Sequence, residues 1–190
     1  MNRSFVEDKT FKGINYGEEG FLTGDYEECT FLQCNLSNSD LSTIVFVECR
    51  FIDCDMSMVR ISGTAFRETI FKDCKLLGLH FENCNDILFS VEFINCDLNL
   101  SSFFTRSLTS SSFTECKLRE VDFTEADLTG TDLKGCDLTG SVFNNTVLEK
   151  ADLRTSFNYS IDPEINRIRK ARFSAGGVTG LLDKYDITID

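Results

Sequence analysis

Cysteine, histidine and carboxylate are the side chains here that could hold a metal, form disulfides or move a proton. The chain has nine cysteines, one histidine and 31 acidic against 19 basic residues. Cys29 and Cys34 form one C-x4-C pair, and Cys49 and Cys54 form a second one twenty residues later. C-x4-C is a poor zinc spacing, and the second pair would have to converge on the first. Disulfides fit no better. The first residues, MNRSFVEDKTFKG, carry acids and no apolar run, so they do not read as a secretory signal. An odd cysteine count in a reducing compartment cannot pair completely within one chain. His80 falls just before the apolar Phe81 with no nucleophile or ligand set beside it, which predicts an exposed bystander. The glycines of TGTDLKGCDLTG recur as turn residues, unlike those of a phosphate loop. These readings predict a non-enzyme with no catalytic residue, metal or cofactor.

The elements that position these residues are set by a period of five. Steps of five from Val6 through Phe11, Tyr16, Phe21 and onward to Phe81 meet a large apolar residue every time. After a two-residue slip within 82–87, the step resumes at Leu88 and runs through Phe93 to Leu153, again without a miss. The residue two places before each is mostly small, among them Cys34, Ser39, Cys54, Thr64, Ala126 and Ser141. A separation of two is the strand period, so both residues of a pair can face the same side. The other three residues must contain a corner.

The cysteines count the corners. Cys34, Cys54, Cys74, Cys96, Cys116 and Cys136 are spaced by twenty, or by twenty-two across the slip, so four pentapeptides make one coil. Phe11, Phe31, Phe51, Phe71, Phe93 and Phe113 fall into one ladder, and Phe81, Phe103, Phe123 and Phe143 into another. The expected fold is an all-β, four-faced parallel solenoid filled by its own side chains, with the thiols inside as small hydrophobes. Thirty units give about 7.5 coils, or roughly 36 Å at about 4.8 Å per coil, regular except at the slip. Arg106 stands where a small inward residue belongs, with Asp86 near it in the previous coil; a local bulge is expected there.

ADLTG (126–130), TDLKG (131–135), CDLTG (136–140) and ADLRT (151–155) resemble the A(D/N)LXX unit of the pentapeptide-repeat family. The resemblance spans about residues 6–157 and implies a right-handed quadrilateral parallel β-helix. SVFNNT (141–146), DPEINRI (162–168), CKLLG (74–78) and FINCDL (93–98) are similar to members that give microcin immunity. Those members, and more distantly the quinolone-resistance ones, imply action on DNA gyrase or topoisomerase IV and a homodimer joined at the C-terminal ends. Unlike the quinolone-resistance type, this chain sends no long loop out of its coils.

Residues 161–190 hold five basic and five acidic groups, so the net −12 sits on residues 1–160. Such a body repels phosphates, which predicts no nucleic-acid partner and favours a basic protein surface. No apolar run reaches the roughly 20 residues of a membrane span, and a cytoplasmic protein is expected. Some outward columns neutralise themselves, as in Asp55, Lys75, Asp97, Lys117 and Asp137. Others do not: Glu28, Glu48 and Glu68 share one column, and Asp53, Asp73 and Glu115 share another with Gln33 and Asn95. Like charges one coil apart repel, so folding alone does not favour them. Duplex DNA carries roughly 21 charges over about 36 Å, so −12 makes a passable mimic.

Two functions are therefore expected as alternatives. One is a DNA-mimicking, topoisomerase-binding protein that gives tolerance or immunity to a gyrase poison, using the two acidic columns. The other is a cytosolic interaction scaffold without a topoisomerase role. A mimic needs its acids concentrated on one or two faces. After a repeat domain over 1–160, residues 161–190 are expected to cap the open end. A short helix should start at Asp162–Pro163–Glu164, and Ser174 should cap a second one. Leu181, Leu182, Tyr185, Ile187 and Ile189 are the candidate dimer contacts.

Overall fold

The computed structural model describes residues 4–189. In chain order the elements are β1 (Ser4–Glu7), β2 (Thr10–Lys12), the single-turn α1 (Tyr16–Glu19), β3 (Gly24–Glu27) and β4 (Thr30–Leu32). They continue with β5 (Val45–Val47), β6 (Arg50–Ile52), β7 (Ala65–Arg67), β8 (Thr69–Lys72) and β9 (Val91–Ile94), then β10 (Ser112–Thr114) and β11 (Leu133–Lys134). All pairings are parallel. One sheet runs β1-β3-β5-β7, the other β11-β10-β9-β8-β6-β4-β2. The remaining two faces are held by isolated bridges, such as the series Asn15, Asn35, Asp55, Lys75, Asp97, Lys117, Asp137 and Phe157. The chain is a right-handed quadrilateral parallel β-helix with a short helical C-terminus.

The period of five is built from an inward apolar residue and a corner residue two places on. At nearly every corner the second of these has positive φ, as at Glu28 (52°), Gln33 (55°), Asn38 (59°), Thr43 (64°) and Glu48 (52°). Left-handed backbone costs a non-glycine residue about 1–2 kcal/mol. The coil holds it there by bonding the corner N–H to the carbonyl of the next coil: Glu28 to Val47 O, Glu48 to Arg67 O and Asp53 to Lys72 O, each 2.9 Å.

The core is stacked phenylalanine. Phe11, Phe31, Phe51, Phe71, Phe93 and Phe113 stack at 4.9, 4.7, 5.1, 5.3 and 5.1 Å between successive ring centroids. Phe81, Phe103, Phe123 and Phe143 stack at 4.6, 5.5 and 5.3 Å. Rings of adjacent ladders meet edge to face, as Phe46 and Phe51 do at 77°. That geometry suits the aromatic quadrupole.

Three details differ from the sequence expectation. First, Leu88 is not a core residue: it is 73% exposed with φ 59°, and Phe89, 8% exposed, turns inward against Phe81. The slip ends the four-stranded sheet at β7, while β8 pairs directly with β9. Second, the first coil is not a regular one, because α1 replaces a corner at 16–19; Tyr16 and Phe21 stay half-buried against the core. Third, no helix starts at Asp162. Residues 163–165 form a turn, with Asn166 N–H bonded to Asp162 O at 3.2 Å.

The coiled path continues into the tail, where Arg167 bridges Val147 and Arg172 bridges Asp152. In place of the second helix expected after Ser174 there is a 3-10 turn, Gly177–Leu181, whose N-cap is Gly176; the Ser174 Oγ accepts the Gly177 N–H at 2.9 Å. A second 3-10 turn, Asp183–Tyr185, is tied back by Lys184, whose Nζ lies 2.7 Å from Asp162 and 2.6 Å from Glu164.

Candidate functional site

The inward thiols have a polar job. Cys54, Cys74 and Cys96 donate to the carbonyls of Phe31, Phe51 and Phe71, each at 3.3 Å, and Cys34, Cys116 and Cys136 repeat the contact in their own coils. Hydroxyls do the same elsewhere: Thr64 to Leu41 O at 2.7 Å, Thr146 to Phe123 O at 2.8 Å. The thiols are thus donors as well as small hydrophobes, and each satisfies a carbonyl one coil away. Burial pushes Cys49 and Cys84 up to about 12, which keeps them protonated for that role.

Arg106 is more than a bulge. Only 3% exposed, it sends Nη2 to Phe81 O at 2.6 Å and Cys84 O at 2.9 Å, pairs Nη1 with Asp86, and lies 4.8 Å over the Phe89 ring. It is the fastening of the slip. His80 is exposed as expected, but it has company: its Nδ1 lies 2.8 Å from Glu82 Oε1.

Outside, the columns divide into two kinds. The neutralising kind is paired: Asp40 with Arg60 at 2.8 Å, Asp55 with Lys75 at 4.0 Å, Asp97 with Lys117 at 3.8 Å. Asp137 departs from its own column and takes Arg119 at 2.7 Å. Burial would raise its carboxyl, but hydrogen bonds from Thr139, Arg119 and Asn158 outweigh that and hold it at about 2.

The second kind has no cation partner among the described residues. Glu28, Glu48 and Glu68 are exposed at left-handed corners (φ 52°, 52° and 50°) and form no ion pair among the described residues. Asp53, Asp73 and Glu115 occupy the next corner, at φ 54°, 55° and 56°. There two amides relieve the crowding: Gln33 donates to Asp53 at 3.1 Å and Asn95 to Asp73 at 2.7 Å. The sheet carrying β4, β6 and β8 runs between the two corners, so the two acidic columns border one face. The sequence could place these residues in columns but could not show that all six are backbone-strained corners.

At the C-terminus the candidate contacts separate. Leu181 and Leu182 are half-buried, and Leu181 packs on the core. Tyr185 (49%), Ile187 (56%) and Ile189 (54%) are exposed, with the Tyr185 hydroxyl donating to Glu164 at 2.9 Å. Among the described residues, no helix is long and apolar enough to cross a membrane.

A sequence profile described as a pentapeptide repeat region matches residues 25–103 and 86–157, well over half of the chain. A search of curated proteins found no match. Among solved structures, the chain is similar to a trypsin-treated form of QnrB1, a plasmid-mediated fluoroquinolone resistance protein. That pair shares 17% identity over 99% of this chain and 98% of the other, with a TM-score of 0.59. It is also similar to HetL of the cyanobacterium Nostoc sp., involved in heterocyst differentiation regulation. There the identity is 14% over 89% of this chain and 85% of the other, with a TM-score of 0.66. At these identities the likeness is one of fold.

Proposed function

The chain belongs to the pentapeptide-repeat family, and from that premise we propose that it is a non-enzymatic acidic rod that binds a type II topoisomerase, DNA gyrase or topoisomerase IV, in place of DNA. In doing so it gives tolerance or immunity to a gyrase poison. The observation that carries this reading is the stack of Glu28, Glu48 and Glu68, which forms no ion pair among the described residues, whereas Asp40, Asp55, Asp97 and Asp137 each have a cation beside them. Here carboxylates repeat at about 4.8 Å along the axis, at corners where they also bear backbone strain of about 1–2 kcal/mol each. The like-charge cost, repeated in three coils, supports selection for binding a cationic surface. Asp53, Asp73 and Glu115 border the same face and extend the strip.

In this reading two rods join at their C-terminal ends. Tyr185, Ile187 and Ile189 supply the exposed contacts, and Leu181 and Leu182 link them to the cap. The dimer doubles the length of the acidic strip. The experiment is a gyrase supercoiling assay with and without a quinolone or microcin, titrating the full chain. Inhibition, or protection from the poison, is the expected result; neither effect at micromolar protein overturns the proposal for gyrase.

A further inference from the structure

The corner row that begins with Glu28, Glu48 and Glu68 does not stay acidic. It continues through Ser90, Ser110 and Gly130 to Lys150 and Lys170, the last three again at positive φ (72°, 60° and 61°). Both lysines are exposed and, like the glutamates, form no ion pair among the described residues. Uncompensated charge of one sign stands at one end of the row and of the other sign at its far end, with small side chains between.

This row borders the outer face of the longer sheet, and turned end for end that face complements itself. A two-fold axis lying across the sheet between Ser90 and Ser110 sets Glu48 opposite Lys150 of a second copy and Glu28 opposite Lys170. Counted coil by coil, the same axis sets Arg50 opposite Asp152, and it sets Asn95 opposite Glu115. Asp53 and Asp73 come beside Arg154 and Lys134. Glu68 meets Gly130, which has no side chain to obstruct it. At the axis Ser112 and Thr114 are short enough to let the two sheets approach. One like pair remains, Lys72 with Lys134, and Asp73 lies next to both. A parallel side-by-side pair would instead set Glu48 and Glu68 against Asp53 and Asp73, which like-charge repulsion opposes.

We propose that this sheet face docks a second copy of the chain, antiparallel and side by side, with the glutamate end of each corner row on the lysine end of the other. Such a contact is isologous, since the same patch serves both copies. The face is about 36 Å long and one pentapeptide wide, less than permanent dimers bury, so the pair is weak and held by charge. It does not rest on the topoisomerase reading. It covers the same carboxylates, so the two complexes exclude each other.

The test is sedimentation velocity of the full chain at rising micromolar concentration, carried out with Ile187→Asp in place to remove the C-terminal contact. At low salt this chain is expected to dimerise, and at high salt to fall apart. Lys150→Glu with Lys170→Glu should weaken the dimer at least about tenfold, and adding Glu28→Lys with Glu48→Lys should restore it. These corners accept either residue, as the glutamates at φ 52° and the lysines at φ 60° and 61° show, and unchanged circular dichroism confirms each fold. Carbodiimide cross-linking of mixed isotope-labelled and unlabelled chains reads the direction: Glu48–Lys150 and Glu28–Lys170 links should join labelled to unlabelled chains. A chain that stays monomeric at low salt overturns the proposal. So does a dimer that the lysine reversal leaves intact, or one that the fourfold swap fails to restore. Dimerisation with no effect in the supercoiling assay sinks the topoisomerase reading and keeps the pair; a topoisomerase effect from a chain that never pairs does the reverse.

Discussion

Replacing Arg106 tests how the coil survives its own interruption. In Arg106→Ala the carbonyl of Cys84 loses its 2.9 Å donor, and Phe81 O loses one of two, because the Cys84 N–H still reaches it at 3.0 Å. Asp86 is 90% exposed on its side chain and rehydrates once unpaired, so its share is about 0–1 kcal/mol. An orphaned buried carbonyl costs about 1–3 kcal/mol. The lost contact with the Phe89 ring adds about 1 kcal/mol, and the emptied volume adds more. A loss of about 3–4 kcal/mol follows, against about 0.5 kcal/mol for Asp86→Asn. Urea denaturation followed by circular dichroism reads the difference. Amide hydrogen exchange at Asn85 and Phe89, whose N–H groups bond Thr64 O and Asp86 O, locates it. The reasoning is refuted if Arg106→Ala costs less than about 1 kcal/mol, or if Asp86→Asn costs as much. Either result would mean that the carbonyl contacts do not hold the slip.

Glu48→Asn should stabilise the fold by about 1 kcal/mol, read as a raised urea midpoint, because asparagine tolerates φ 52° better and removes a like charge from the column; a lowered midpoint contradicts the strain argument. Asp137, held at about 2 against about 3.9 in an unfolded chain, contributes stability that is present above pH 4 and lost as the pH falls toward 2. That contribution is about 2 kcal/mol, and acid titration of Asp137→Asn should lack this part of the fall. Gly180→Ala should loosen the C-terminal cap, since a Cβ there would stand 2.1 Å from the Tyr159 carbonyl oxygen, whereas Gly176→Ala meets open space. Limited proteolysis of the tail distinguishes the two, and equal cleavage would contradict the packing described.

Much of this fold is legible because one rule repeats. The large residue at every fifth position and the small one two before it place the phenylalanine ladders and the thiol column without reference to coordinates. The slip was legible only as a shift of two. Ile87, Leu88 and Phe89 are all apolar, so periodicity alone could not choose which turns inward. The helical turn at Tyr16–Glu19 was hidden because Tyr16 and Phe21 keep their places on either side of it. The strained corners were invisible for a different reason. They carry glutamate, aspartate and threonine as readily as glycine, since the bond to the next coil sets their backbone. The grip of Arg106 depends on where the slipped carbonyls go, which residue types alone do not state.

The central claim is that the stacked corner carboxylates take the place of DNA. Displacement of a labelled duplex from purified gyrase, followed by fluorescence anisotropy, measures this directly. The full chain should release the duplex in a saturable, salt-sensitive manner, and a Glu28→Lys, Glu48→Lys, Glu68→Lys triple variant with unchanged circular dichroism should not. Equal displacement by the triple variant, or none by the full chain, would contradict the account.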